Sequence, residues 1–262
     1  MTEEFLRMLS AAENGDAEKQ YRVARAYADG DEALGVQKDE MQAMEWYQKA
    51  GKPSGSLAAM HDGALLYVKM MEDNGVQPDP NMYVQLISMA AKHGYAPSQL
   101  WMGETCFDLK RYDDALSFLK SAAESGFEDE TVAADAKRLL GVMYADGLGI
   151  AQDRVKAFNL INEACKTPTA KEYNRSALKV LAVCYHYGYG TPVDYAQARK
   201  YYGMAKLAGH NNVDNSLKQL DIDEKKPAHA PAAAKSGINW GLAIALLILF
   251  PPAGLIYILT KK

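Results

Sequence analysis

Cysteine is scarce in this 262-residue chain. Its three copies, Cys106, Cys165 and Cys184, are odd in number and lack the spacing of a disulfide framework. That excludes a small disulfide-stapled scaffold and favours reduced, buried thiols. Excess basic charge is missing too. The formal net charge is −4, so no electrostatic footprint for nucleic acid is present and none is expected as a partner. An export signal is also lacking. Met1-Thr2-Glu3-Glu4 is acidic where a signal peptide needs a basic start and then an apolar run. The bulk of the chain is therefore expected in the cytoplasm.

Catalytic signatures are equally sparse. His61, His93, His186, His210 and His229 form no His-Glu-x-x-His pair and no Cys/His zinc spacing. There is no Gly-x-Ser-x-Gly elbow and no P-loop. Gly147-Leu-Gly149 and Gly188-Tyr-Gly190 superficially suggest phosphate loops. Both fall between two helical patterns rather than after a strand, so they read as connections. The acidic pair Asp113-Asp114 reads as a solvated helix start. No catalytic, metal or cofactor residue is assigned, and the chain reads as a non-enzyme.

What the sequence has is an internal repeat. Alanines recur at Ala50, Ala90, Ala122, Ala164 and Ala205. Seven residues before each stand Ala43, Tyr83, Ala115, Ala157 and Ala198, on the same face two helical turns away. A second register lies on the preceding helix of each unit. Small residues occupy Ala24, Ala64, Gly103, Gly141 and Ala182, followed three residues on by Tyr27, Tyr67, Cys106, Tyr144 and Tyr185. Small residues let helices approach closely, and the large group beside them fills the remaining space. Asp39, Asp79, Asp153 and Asp194 stand four residues before the first anchor of the second helix, placed to cap it. Glycines punctuate the helix ends.

Leu140-Gly-Val-Met-Tyr-Ala-Asp-Gly-Leu-Gly-Ile150, with Asp153 and Ala157, resembles the Sel1-like repeat. So does Asp39 with Ala43, Trp46, Tyr47, Lys49 and Ala50. The resemblance runs from about residue 16 to 210. Units at about 16–51, 131–166 and 175–209 match well. The unit at about 56–94 departs, because Tyr83 replaces the alanine. The unit at about 97–126 lacks the long loop and looks like a tetratricopeptide repeat. The resemblance implies an all-α fold: a right-handed α-solenoid of about five antiparallel helix pairs that binds proteins or peptides. It also implies that the first helix of each pair faces the groove. On that register Tyr21, Arg25, His61, Glu104, Arg138 and Lys179 are the expected partner-binding residues, with Leu65, Leu100, Val142 and Val183 beside them. The stretch from Asn211 to Asp223 reads as either a capping helix or linker.

The array is expected to span residues 1–221, followed by a proline- and alanine-rich linker at 222–237. Composition then changes sharply. Ile238 to Thr260 carries no charged residue, and a spanning helix needs about 20 apolar residues. Trp240 and Tyr257 sit near its ends, as interfacial rings do, while Phe250, Pro251 and Pro252 interrupt it. A single-pass C-terminal anchor is the leading expectation. A re-entrant hairpin, an interfacial helix ending near Phe250 and a buried soluble helix are the alternatives. The function expected is a membrane-anchored scaffold with its repeats facing the cytoplasm, whose partners are a protein or peptide and the lipid bilayer. A subunit that assembles or regulates a membrane complex is the alternative; Gly241 and Ala245 have the small-xxx-small spacing that permits close helix contact.

Overall fold

The structure is a computed structural model that describes residues 1–52, 55–167, 171–209 and 213–225, with residues 171–176 described by their backbone. The described residues form twelve helices and no strand. In chain order they are α1 (Glu3–Glu13), α2 (Ala17–Asp29), α3 (Glu40–Ala50), α4 (Leu57–Asp73), α5 (Pro80–Lys92), α6 (Ala96–Asp108), α7 (Tyr112–Glu124), α8 (Glu130–Asp146), α9 (Arg154–Ala164), α10 (Lys171–Tyr187), α11 (Tyr195–Leu207) and α12 (Val213–Glu224). One isolated bridge joins Asp31 and Val36. The described residues divide into two compact units, 1–102 and 103–225, so the division falls inside α6.

Both anchor registers are buried. Ala24, Ala43, Ala50 and Ala90 are wholly inaccessible in the first unit, as are Ala115, Ala122, Ala182, Ala198 and Ala205 in the second. The glycines mark the tightest approaches. A methyl carbon added at Gly141 would lie 2.6 Å from Ile161 Cγ1 and 3.2 Å from the Ala157 carbonyl oxygen. One added at Gly103 would lie 2.6 Å from Leu119 Cδ2. Helix α8 therefore rests almost backbone-on-side-chain against α9. The gap closes only because nothing projects there.

The predicted caps form. Asp39, Asp79, Asp153 and Asp194 accept hydrogen bonds from the backbone N–H groups of Gln42, Asn81, Lys156 and Gln197. Such caps are each worth about 1 kcal/mol. Their own N–H groups reach back across the loop. Those of Asp39, Asp153 and Asp194 donate to the carbonyls of Tyr27, Tyr144 and Tyr185. That of Asp79 donates instead to the Tyr67 hydroxyl, at 3.0 Å. The aspartate thus fixes both the helix start and the loop entering it. Helix α7 has no such device: Arg111 stands at its N-cap without a side-chain bond. The glycine loops lie between helices, as expected of connections. Gly149 has φ 65° and packs on Tyr112, while Gly190 has φ 71° and packs on the Arg154 carbonyl.

Two helices flank the five pairs. Helix α1 begins before the expected array and packs on α2, with Phe5 inaccessible and edge-on to Tyr27 at 5.7 Å. Phe5 and Ala12 repeat the seven-residue spacing of the second helices, so α1 packs on α2 in the manner of a second helix. At the other end, the stretch left open between cap and linker is helix α12, which runs past residue 221 to Glu224. Its Val213 and Leu220 are buried against α11. Its outer positions Asp214, Lys218, Asp221 and Glu224 are exposed. Arg199 pairs with Asp221 and Glu224, each at 2.6 Å, and Lys206 with Asp214 at 2.6 Å. Such exposed pairs add little to stability. A polar outer face is what closes a stacked array. Buried His186 joins α10 to this cap: its Nε2 lies 3.2 Å from Asp223 Oδ2. Burial holds the imidazole below its usual pKa, and the Asp223 charge only partly offsets this.

Among the described residues no helix is long and apolar enough to cross a membrane. The expected membrane segment, with Trp240, Phe250, Pro251, Pro252 and Tyr257, lies outside the described residues.

Forcing volume into the α8–α9 contact should destabilise the chain. Overpacking a close contact costs about 1–3 kcal/mol. Gly141→Leu should lower the melting temperature by several degrees, measured by far-UV circular dichroism, whereas Gly203→Ala, in helix α11 with open space around it, should not lower it. An unchanged melting temperature for Gly141→Leu would show that the contact is not tight.

Candidate partner-binding face

The polar residues of the first helices gather into two clusters, one in each unit. In the first, Tyr21 on α2 donates its hydroxyl hydrogen to Asp62 Oδ2 on α4, at 2.9 Å. Burial raises the Asp62 pKa, while the Tyr21 bond and the nearby Arg25 charge pull it down. Arg25 itself is exposed, with Nη2 3.5 Å from Asp29. The Tyr47 and Tyr95 phenols also feel the Asp62 charge, and burial pushes Tyr95 up to about 12. Leu65 is 39% exposed. His61 lies deeper. It is 7% exposed, its Nδ1 is 2.9 Å from Ser98 Oγ, and its ring meets the edge of Tyr95 at 5.7 Å. Burial pushes its pKa down to about 4. His61 is thus a neutral tie between α4 and α6, and its ring is not presented to solvent.

The second cluster joins the end of α6 to α8. Glu104 is partly accessible but closely surrounded by protein, and burial pushes its pKa up to about 7. The Arg138 charge opposes that rise, and Asp135 and Asp108 add to it. Asp135 rises to about 6, again mainly through burial. Arg138 is 5% exposed. On α10, Lys179 is half-buried and burial lowers its pKa. Val142, its neighbour in the expected register, is in the core at 1% exposure. The structure therefore brings Glu104 and Arg138 together within the second unit and joins Tyr21 and Arg25 within the first. Asp62, Asp108 and Asp135 were not legible as members. Each gains its role from a facing helix, and no motif in the sequence marks that pairing.

No cluster of three or more metal-ligating side chains occurs among the described residues. The arrangement offers hydrogen bonds and charge, and the Ser98 hydroxyl that lies beside the His61 imidazole is buried.

Three stretches match the Sel1 repeat: residues 18–52, 134–166 and 176–210. They correspond to α2–α3, α8–α9 and α10–α11. The intervening α4–α7 segment holds both irregularities, Tyr83 in place of alanine and the uncapped start of α7. The Sel1-repeat-containing protein YjcO of Escherichia coli (strain K12) is 30% identical over 153 residues, covering 57% of this chain and 61% of YjcO. The chain thus spans less than two thirds of that relative. Two solved structures share the fold. One is c5321, a protective antigen of uropathogenic Escherichia coli strains displaying an SLR fold. It has TM-score 0.65 and 22% identity, covering 98% of this chain and 51% of that one. The other is a Sel1 repeat protein from Oxalobacter formigenes, with TM-score 0.61 and 23% identity, covering 82% and 88%. The fold is an all-α solenoid of the kind these Sel1-repeat proteins display. Such proteins are generally non-enzymatic scaffolds that bind protein partners.

His61 makes a testable contribution to the stability of the first unit. Its folded pKa of about 4 lies below the ordinary 6.5, so the unfolded chain binds the proton more readily. Its contribution is present above pH 6.5 and is lost as pH falls toward 4, by up to roughly 3 kcal/mol. His61→Gln should flatten the loss of stability between pH 6.5 and 4.5 in urea titrations. An unchanged pH slope would show that His61 does not carry it.

Proposed function

We propose that this chain is a scaffold that captures a protein segment on the first-helix face and is held at a membrane by its C-terminal segment. The observation that carries the reading is a division of labour on the first helices. One face is buried through small residues, while the other presents Arg25, Leu65 and half-buried carboxylates that the fold does not use for packing. Charge selects the partner. Around Arg138, the carboxylates of Glu104, Asp135 and Asp108 outnumber the cation. A segment carrying lysine or arginine is therefore the better fit there than the acidic one that Arg138 and Lys179 suggest by themselves. Removing partly buried carboxylates from water strengthens their attraction for such a cation.

The membrane half rests on the 23 residues from Ile238 to Thr260 without a charge. It is also consistent with α12, whose outer face is mostly charged. Cytoplasmic placement of the repeats is supported by the free thiols. Cys106 and Cys184 are buried, and burial pushes Cys165 up to about 12. Confinement at the bilayer would raise the effective concentration of the face toward membrane-bound partners.

Two outcomes are expected. The full chain should sediment with membranes, resist alkaline carbonate and dissolve in detergent; recovery in the soluble fraction without detergent would remove the anchor from the reading. Partner capture from detergent-solubilised membranes should strengthen severalfold between pH 5.5 and 7.5, as Glu104 and Asp135 lose protons. Combined Glu104→Gln and Asp135→Asn should abolish that rise while leaving helix content intact. Capture that is indifferent to both changes would place recognition elsewhere.

A further inference from the structure

Helix α4 carries an acid that packing does not call for. Two residues before the small anchor of each first helix stand Arg22, Asp62, Trp101, Leu139 and Val180. In the second unit that position belongs to the core, with Leu139 and Val180 buried. In the first unit α4 places Asp62 there, half-buried. A carboxylate drawn partly out of water costs free energy unless it is bonded, and Asp62 is only half bonded. Its Oδ2 accepts the hydrogen of the Tyr21 hydroxyl, at 2.9 Å. Its Oδ1 has no protein partner among the described residues and keeps access to solvent.

Aromatic rings from three elements converge on this carboxylate. Tyr21 comes from α2, Tyr47 from α3, and Tyr95 stands just before α6. The Tyr21 and Tyr47 rings lie 6.2 Å apart, tilted by 46°. Tyr95 is held edge-on to His61, the neighbour of Asp62, at 5.7 Å. The Tyr47 and Tyr95 phenols are both close enough to feel the Asp62 charge. Arg25 does not fill the position. Its charge reaches Asp62, but its Nη2 lies 3.5 Å from Asp29 and it forms no ion pair with Asp62. The charge of Asp29 also reaches Asp62. Two carboxylates therefore face one guanidinium, and the surroundings stay net negative.

We infer that Asp62, framed by Tyr21, Tyr47 and Tyr95, is a binding site for the ammonium group of a lysine side chain on the partner segment. The site rests on the reading of the first-helix face proposed above and specifies which residue type the first unit takes. Three features select lysine. An open carboxylate oxygen bonds a charged donor about twice as strongly as a neutral one. Phenol rings attract a cation, and their oxygens accept further hydrogen bonds, which suits the three donors of an ammonium. A guanidinium is a planar fork that binds best to both oxygens of a carboxylate together, and Tyr21 already holds one of them. A trimethylated ammonium would keep the attraction to the rings but has no hydrogen to give Oδ1.

The test titrates the detergent-solubilised full chain, labelled with ¹³C at its tyrosine rings, with Nα-acetyl-lysinamide. The Tyr21, Tyr47 and Tyr95 signals should move saturably, while that of Tyr201, in the second unit, stays in place. Nα-acetyl-argininamide and the trimethylated lysine probe should bind more weakly by about fivefold or more. N-acetylnorleucinamide, which has a similar chain without the charge, should give no saturable shift. Asp62→Asn keeps the side-chain volume and an oxygen for Tyr21, and should weaken the lysine probe by about tenfold or more. Tyr21→Phe frees the second carboxylate oxygen and should erase the preference for lysine over arginine; should Asp62→Asn not fold, this variant and the unaltered chain decide. Arginine bound as tightly as lysine by the unaltered chain, or lysine bound undiminished by Asp62→Asn, would overturn the inference. The titration needs no partner, so two failures are told apart. A chain that captures a partner through Glu104 and Asp135 but ignores the lysine probe overturns the Asp62 site alone. Saturable lysine binding in a chain whose capture is indifferent to Glu104 and Asp135 supports the Asp62 site and counts against the role given to the second unit.

Discussion

Close approach between helices at positions without a side chain is the constraint on which the rest of this structure depends. At Gly141 the backbone of α8 meets Ile161 with no room for a methyl group, and Gly103 does the same against Leu119. A single helix pair has little interior of its own. Stacked pairs share one, and their stability is close to a sum over neighbouring contacts. The small anchors set how near each pair stands, the tyrosines beside them fill what is left, and the capping aspartates fix where each second helix begins. Once those are satisfied, the opposite side of each first helix is free to vary. On the first helices Tyr21, itself packed against the core, meets Asp62 in one unit, and Glu104 lies near Asp135 in the other.

The same constraint explains the irregular middle of the array. Tyr83 takes the alanine position on α5, buried and edge-on to Trp101 at 6.3 Å. Where α7 lacks its capping aspartate, the connection from α6 is short and the unit resembles a tetratricopeptide repeat. The residues matching the Sel1 repeat are those where both devices are intact. Among the described residues the last helix, α12, has a mostly polar outer face.

Much of the fold was legible in the sequence because its determinants are local. A seven-residue spacing of alanines places both on one helix face, and an aspartate before a helix caps it within three residues. Helix α1 escaped notice because Phe5 stands where a small residue usually does, leaving Ala12 as its lone anchor. The binding face was less legible. A register gives the direction of a side chain but not its depth, so His61 and Glu104 were equivalent on paper. The structure sinks one against Ser98 and leaves the other partly open. The carboxylates around Arg138 come from two helices, and their shared environment depends on packing that no motif encodes.

Position-specific photo-crosslinking tests most directly whether packing and recognition occupy opposite sides of the same helices. A photoreactive residue at Arg25 or Leu65, on the first helices, is compared with one at Lys120 or Lys49, exposed on the second helices. The account predicts crosslinks to a common protein partner from positions 25 and 65 and none to that partner from 49 or 120. Equal crosslinking from both sets, or crosslinking from the second helices alone, would contradict it.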